Sequence, residues 1–165
     1  MPLAAPARSL ANAANAWHLR GFRSPDLSPV VWHPDPALWE STFIATKLRI
    51  ERARARLDVL LALDTDWDPD GAAPPNRRAG AIVSNILDEL EKEALPPTAI
   101  LPSMEGGIGL TFIEGAKRAY IEVFNTEEIT AILDSEENEP SALDIDTSAR
   151  SIRAATGRIR VHLAS

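Results

Sequence analysis

The hydrophobic pattern changes its period near Thr98, and this change limits the folds open to the chain. Before it, apolar residues recur every three or four positions, as on one face of a helix; after it they alternate, as in strands with one buried face. The alternating segments are joined by links such as Glu105-Gly106-Gly107. Links this short join antiparallel neighbours, because a parallel crossover needs about a dozen residues or more. The sequence therefore predicts an α+β fold: two main helices packed on a four- to five-stranded antiparallel meander, with an N-terminal arm.

Start and stop signals set the bounds of the predicted elements. A first helix over 37–63 has Pro36 in its first turn, and a second over 77–95 follows Asn76 as a cap and ends before Pro96-Pro97. The predicted strands, within 98–133, are 98–104, 108–113, 118–124 and 129–133. The strand face that the helices should cover carries Ile108, Leu110, Phe112, Ile121 and Val123.

Both ends of the chain are harder to interpret. Residues 1–36 are rich in proline yet carry Trp17 and Trp32, so we interpret them as an N-terminal arm that docks on the body or on a partner. Residues 37–165 then form a single domain, as a chain of 165 residues allows. Residues 134–140 are typical of an acidic loop. Within the uncertain C-terminal element 141–165, residues 147–155 suit a short helix and residues 158–163 alternate like a final strand.

The first helix is apolar on two sides. Its main stripe comprises Trp39, Phe43, Thr46, Ile50, Ala53, Leu57 and Leu60. A thinner stripe on roughly the opposite side comprises Ile44, Leu48, Ala55 and Val59. Because short soluble chains rarely expose such faces, we expect the helix to be sandwiched inside the fold, with use in association as the alternative.

Arg49, Arg52 and Arg56 lie along one flank of the same helix, and no acid stands four residues from any of them. The simplest interpretation is a solvated face with intramolecular pairs. Otherwise three like charges require something anionic to face them. The candidates are the chain's own acidic segments 64–70 and 136–139, an acidic partner protein, or nucleic-acid phosphate.

Charges also mark the second helix and the end of the chain. The second helix has Arg77 and Arg78 in its first turn and acids toward its end, against the preference of the helix dipole, which hints at tertiary or intermolecular partners. The C-terminal arginines are Arg150, Arg153, Arg158 and Arg160. They either fold back on acids or contact phosphate, but they lack the interleaved aromatics of single-strand binding sites.

The segment between the helices resembles half of a calcium loop. Asp66, Asp68 and Asp70, followed by Gly71, place alternate carboxylates where they can converge on a hard cation. The twelfth position of such a loop needs a bidentate Glu, and here it is Arg77. We therefore favour a turn in which aspartates cap backbone amides, and keep the metal site as a weak candidate.

No pattern for catalysis or for a cofactor stands out. The chain has no cysteine, which excludes disulfides, thiolate metal sites and thiol nucleophiles. His18, His33 and His162 are too scattered for a zinc pattern, and no phosphate-binding or nucleophile motif follows a strand. We therefore expect no cofactor and no enzymatic activity.

In the order of its motifs, the chain resembles a group of small uncharacterised bacterial proteins. The residues that carry the likeness are Trp67-Asp68-Pro69-Asp70-Gly71-Ala72, Pro96-Pro97, Pro102 and Gly106-Gly107-Ile108. Those proteins have a Trp-Asp-Gly-x-Gly-Ala loop between two helices, followed by a Gly-Gly hairpin. The likeness spans about 57–133 and departs from the pattern at Pro69-Asp70 and at Phe112, where Trp is common. It implies a bacterial origin and this order of elements, and it implies no activity.

The functional expectation follows from these features. A formal net charge of −7 argues against indiscriminate binding to nucleic acid or membrane, and no apolar run reaches the roughly 18 residues that span a bilayer. We expect a cytoplasmic, non-enzymatic subunit that binds another protein or a second copy of itself, as an accessory or antitoxin-like member of a two-protein system. The expected contacts are Trp17, Trp32, Trp39, Arg49, Arg52 and Arg56. The alternatives are a nucleic-acid-associated regulator that uses an arginine cluster, and a metal-dependent module at the aspartate loop.

Overall fold

The computed structural model describes residues 36–136 and 138–165, with side chains from residue 40 onward. Within them the predicted α+β fold is confirmed, as helices packed on a five-stranded antiparallel sheet. The elements are α1 (Pro36–Leu61), α2 (Arg77–Lys92), β1 (Ala99–Ser103), β2 (Gly107–Glu114), β3 (Lys117–Phe124), β4 (Ile129–Ser135), β5 (Asn138–Ile145) and α3 (Ala149–Ala164). The strands are neighbours in the order of the sequence, β1 to β5, so the sheet is a meander with β1 and β5 at its edges.

The core lies between one face of the sheet and the helices. Ile108, Leu110 and Phe112 of β2 stand opposite Val123, Ile121 and Ala119 of β3, and all six are buried. The two-residue period of the strands thus brings the whole predicted inner face to one side. α2 and α3 pack on this face, and α1 packs on α2 and β1.

The β1–β2 turn requires glycine. Gly106 and Gly107 have φ of +83° and +151°, which side chains rarely adopt. A Cβ at Gly107 would also overlap the carbonyl oxygen of Val123 and come within 2.9 Å of the Cα of Phe124. Gly106 and Gly107 therefore provide the positive φ that this hairpin turn requires.

The two main helices end earlier than the sequence predicts. α1 ends at Leu61, where the sequence indicated residue 63, and α2 ends at Lys92, where it indicated residue 95. The α2 helix ends early because Ala94 takes a positive φ of 51°, after which the Leu95 N–H turns back to the Leu90 carbonyl. Glycine usually occupies a positive-φ position at the end of a helix, and an alanine adopts it only at a cost. The sequence therefore did not predict this helix end.

The end of the chain differs from what the sequence indicated. Residues 138–145 form β5, which begins inside the expected acidic loop 134–140 and runs into the element left uncertain at 141–165. Residues 149–164 form one helix, so the strand indicated for 158–163 is wrong. The apparent strand contained Ile159, Val161 and Leu163, of which Ile159 is fully buried and Val161 is 64% exposed. The buried residues of α3 are Ile152, Ala155, Thr156 and Ile159, which is helical spacing. Ser148 caps the helix by accepting a hydrogen bond from the Ser151 N–H.

Candidate partner-binding surface

Only the C-terminal half of α1 is buried against the rest of the described fold. Ile50, Ala53, Leu57 and Leu60 are buried, so its C-terminal half anchors it to α2 and β1. Phe43 belongs to the same stripe but is 61% exposed. Because the helix rises about 1.5 Å per residue, Phe43 lies roughly 10 Å beyond Ile50 along the axis, past the last core contact. The N-terminal half of α1 therefore stands out from the core.

The second apolar stripe of α1 is exposed along its length. Ile44, Leu48 and Val59 are each more than half exposed, at 57%, 53% and 52%, and Ala55 is exposed as well. The expectation that α1 is sandwiched inside the fold is therefore wrong. The body covers only one side of the helix, and the other carries an apolar stripe of the kind that marks association surfaces.

The arginine flank borders a groove. Arg49, Arg52 and Arg56, together with Ala53 and residues 97–100, line a groove of about 340 Å³ between α1 and the start of β1. We call it the arginine groove. All three arginines are exposed, and none has an ion pair among the residues that the structure describes. The interpretation of intramolecular pairing therefore does not hold in that part of the chain, since neither segment 64–70 nor the described acids of 136–139 form an ion pair with them.

Arg54, in contrast, forms ion pairs that join α1 to α2. Its Nη2 atom donates to Asp88 at 2.8 Å and to Glu91 at 2.9 Å, so it joins α1 to α2. Only 28% of its side chain is exposed. Asp88 and Glu91, which are unfavourably placed toward the C-terminal end of the α2 dipole, are thus paired with a cation of another helix, as the charge pattern indicated. Arg49, Arg52 and Arg56 point to a different side of α1 and take no part in this joint.

The tryptophans predicted as anchors are not placed by the described structure. Trp17 and Trp32 lie outside the described residues, and Trp39 lies in α1 with a side chain outside them. Their role as partner contacts stays a prediction.

Two of the four C-terminal arginines are engaged within the fold. Arg153 donates to Glu89 at 3.1 Å, and Arg160 pairs with Glu93 at 3.0 Å. Arg150 and Arg158 are exposed and have no ion pair among the described residues. The structure therefore divides the predicted cluster: one half fixes α3 to α2, and the other half faces solvent.

Glu89 is the centre of that α2–α3 joint. The side chain of Glu89 is 9% exposed, and its carboxylate accepts hydrogen bonds from Arg153 and from the Lys92 ammonium, the latter at 2.7 Å. These hydrogen bonds, that of Arg153 first, lower the pKa of Glu89 from 4.5 to about 2 although burial acts in the opposite direction. Sequence reasoning missed this site because Arg153 is 64 residues away.

The aspartate loop is organised as a turn. One carboxylate oxygen of Asp68 accepts a hydrogen bond from the Ala72 N–H at 2.8 Å, and the Gly71 N–H donates to the Asp68 carbonyl. Among residues 36–136 and 138–165, no three acidic or histidine side chains are placed to hold a metal ion. Asp66, Asp68 and Asp70 are therefore not gathered into a cation site in this structure.

Asn125, in the turn between β3 and β4, holds the loop before α2 in place. Its Oδ1 atom accepts from the Asn76 N–H at 2.8 Å, and its Nδ2 atom donates to the Pro74 carbonyl at 3.0 Å. Asn76 in turn caps α2 through the Ala79 N–H. The sequence predicted the Asn76 cap and gave no signal for Asn125, which lies 49 residues away.

On the open face of the sheet, Glu122 accepts a hydrogen bond from the Ser103 hydroxyl. Burial first, and then the charges of Glu122 and Glu105, raise the pKa of neighbouring Tyr120. His162 is the only histidine among the described residues, and its Nε2 atom lies within hydrogen-bond distance of the Arg118 and Asp134 carbonyl oxygens.

Within the described part of the chain, no helix has both the length and the apolar character to cross a bilayer.

Comparison with known proteins identifies no relative of this chain. The likeness to small bacterial proteins with a Trp-Asp-Gly-x-Gly-Ala loop stays a prediction. No protein-family model, no curated protein and no solved structure matches the chain.

Proposed function

We propose that the chain is a non-enzymatic protein-binding subunit, an accessory or antitoxin-like member of a bacterial, cytoplasmic two-protein system, and that it contacts its partner through α1. The observation that carries the proposal is that one helix presents both an exposed apolar stripe and three arginines without ion pairs among the described residues. Arginine and large apolar side chains supply much of the energy of protein interfaces once they are desolvated.

The two features form one continuous surface on α1. Leu48 lies four residues before Arg52, and Val59 lies three residues after Arg56, spacings that make side chains neighbours on a helix. A partner that covers the apolar stripe therefore also meets the arginines. The fitting partner is a protein surface with an apolar centre and acidic residues at one side.

Nucleic-acid binding receives less support. Glu89 and Glu93 engage two of the four C-terminal arginines, and the phosphate of a nucleic acid would have to compete with these carboxylates. The arginine groove remains open to an anion, but its neighbours on α1 are apolar. Nucleic-acid surfaces offer no matching apolar area at their phosphates.

Variants of the full chain test the proposal. The groove variant carries Arg49→Gln, Arg52→Gln and Arg56→Gln. The control variant carries Arg118→Gln, Arg150→Gln and Arg158→Gln, which remove the same charge from exposed positions on β3 and α3 that have no ion pair among the described residues. Each tagged protein is incubated with lysate of the native host, and the retained proteins are quantified by mass spectrometry. Circular dichroism checks that both variants remain folded.

We expect the wild type and the control variant to retain one protein at near-stoichiometric yield, and the groove variant to lose it. A further variant with Ile44→Ser and Leu48→Ser should lose the same protein, because it removes the apolar half of the surface. Retention of identical proteins in equal amounts by all four chains would refute a partner site on α1.

A further inference from the structure

We propose that the arginine groove takes an extended acidic segment of the partner protein, and that this segment adds as a strand to the free edge of β1. The inference rests on the proposed function and specifies the chemistry of the partner at that site. Three observations support it: the composition of the groove, the open edge beside it and the charge of the opposite edge.

The groove combines an apolar floor with a cationic rim. Ala53, Pro97 and Ile100 provide the floor, and Arg49, Arg52 and Arg56 provide the rim. A small inorganic anion needs donors but no apolar surface. A peptide needs both, because its side chains bury apolar area while its carboxylates pair with guanidinium groups.

The edge beside the groove is the outer side of β1. β1 pairs with β2, and none of the described strands lies on its other side. Alternate residues of an edge strand direct their N–H and C=O groups outward, where an extended peptide can pair with them. Pro102 has no N–H, which confines pairing to residues 99–101. This is the half of β1 that borders the groove.

The two faces of β1 predict the pattern of the added segment. Ile100 faces the helices and is buried, whereas Leu101 faces the open side of the sheet and is 51% exposed. Side chains of an added strand alternate in the same way. Those on the helix side meet the arginines, and those on the open side lie beside Leu101. A segment that alternates acidic and apolar residues satisfies both sides.

The opposite edge of the sheet rejects such a segment. β5 carries Glu139 and Asp144 as exposed residues, and Pro140 removes an N–H. Acidic side chains and proline are recognised protections of an edge strand, and the acids would repel an acidic peptide. Charge therefore directs the segment to β1.

The probe is a fluorescently labelled, terminally blocked peptide of about eight residues that alternates Glu and Val, a length close to that of natural strands. A peptide of alternating Lys and Val is the charge control, and a single-stranded oligonucleotide of equal length represents nucleic acid. Two further Glu/Val peptides are methylated on backbone nitrogen, one at every Glu and the other at every Val. Because successive N–H groups point to opposite edges of a strand, only one of these two sets pairs with β1. Binding to the full chain is measured by fluorescence anisotropy.

We expect the Glu/Val peptide to bind more tightly than the Lys/Val peptide and the oligonucleotide. The groove variant should weaken it by about tenfold and the control variant should not, and high salt should weaken it too. One methylated peptide should lose binding while the other keeps it. Hydrogen exchange at residues 99–101 should slow in the complex.

The failures are distinguishable. If both methylated peptides bind as well as the parent, or if exchange at residues 99–101 is unchanged, strand addition is wrong although a partner site on α1 stands. Preference for the oligonucleotide, or equal binding of the Glu/Val and Lys/Val peptides, overturns the acidic segment. Loss of host-protein retention by the groove variant is judged separately and bears on the proposed function alone.

Discussion

Replacing Asn125 with alanine tests how the loop before α2 is held. The side chain makes two hydrogen bonds, with the Asn76 N–H at 2.8 Å and with the Pro74 carbonyl at 3.0 Å. Both backbone groups belong to partly buried residues. A hydrogen bond of this kind contributes about 0.5–1.5 kcal/mol net, so the loss of both costs about 1–3 kcal/mol. For a domain of this size, 2 kcal/mol corresponds to a fall in melting temperature of roughly 5–10 °C.

The assay is thermal and urea unfolding followed by circular dichroism. Asn138→Ala is the matched control, because Asn138 is exposed and makes one longer hydrogen bond, to Ser135 at 3.3 Å. We expect its stability to stay within about 0.5 kcal/mol of the wild type. Asn125→Asp separates the two bonds. Its carboxylate still accepts from the Asn76 N–H, but it has no N–H to donate to the Pro74 carbonyl. If Asn125→Ala and Asn138→Ala unfold at the same midpoint, the hydrogen bonds of Asn125 do not hold the loop.

Two further predictions concern single residues. Since the folded-state pKa of Glu89 is lowered from 4.5 to about 2, its stabilising effect is fully present above pH 4.5 and is lost as pH falls toward 2. The free energy of unfolding of the wild type should therefore exceed that of Glu89→Gln at pH 6, and the difference should shrink in urea titrations between pH 5 and about pH 2; a constant difference contradicts the pairing. Gly107→Ala should destabilise by about 2–4 kcal/mol because its Cβ overlaps the β3 backbone, whereas Gly157→Ala, in α3 with nothing within 4 Å, should stabilise by about 0.5–1 kcal/mol. Equal unfolding midpoints for the two glycine variants would contradict this account.

The sheet could be predicted because its signals are local. β3 alternates buried residues with more exposed ones, β2 carries Ile108, Leu110 and Phe112 at every second position, and the turn between β1 and β2 carries the glycines that its φ values require. β5 escaped prediction because it is an edge strand. Its first five residues are exposed, so the alternation that marks a half-buried strand is missing from most of it.

The candidate surface was predicted only in part. The sequence shows that Arg49, Arg52 and Arg56 share a flank and have no acid one turn away. It does not show that this flank borders β1, because residues 97–100 are more than 40 positions from them in the chain. The direction of the second α1 stripe was predicted wrongly, since a helix pattern reveals two apolar sides but not which of them the body covers.

The sequence by itself determined the elements whose cause lies within a few residues: the α1 and α2 helices, the meander, the Asn76 cap and the glycine turn. The tertiary structure decided everything that depends on partners distant in the chain. It paired Glu89 with Arg153, joined Asn125 to the loop before α2 and left one flank of α1 facing the edge of β1. The physical reason is range. Backbone preferences and hydrophobic period act between near neighbours, whereas ion pairs, grooves and exposed faces depend on which surfaces the packed core brings together.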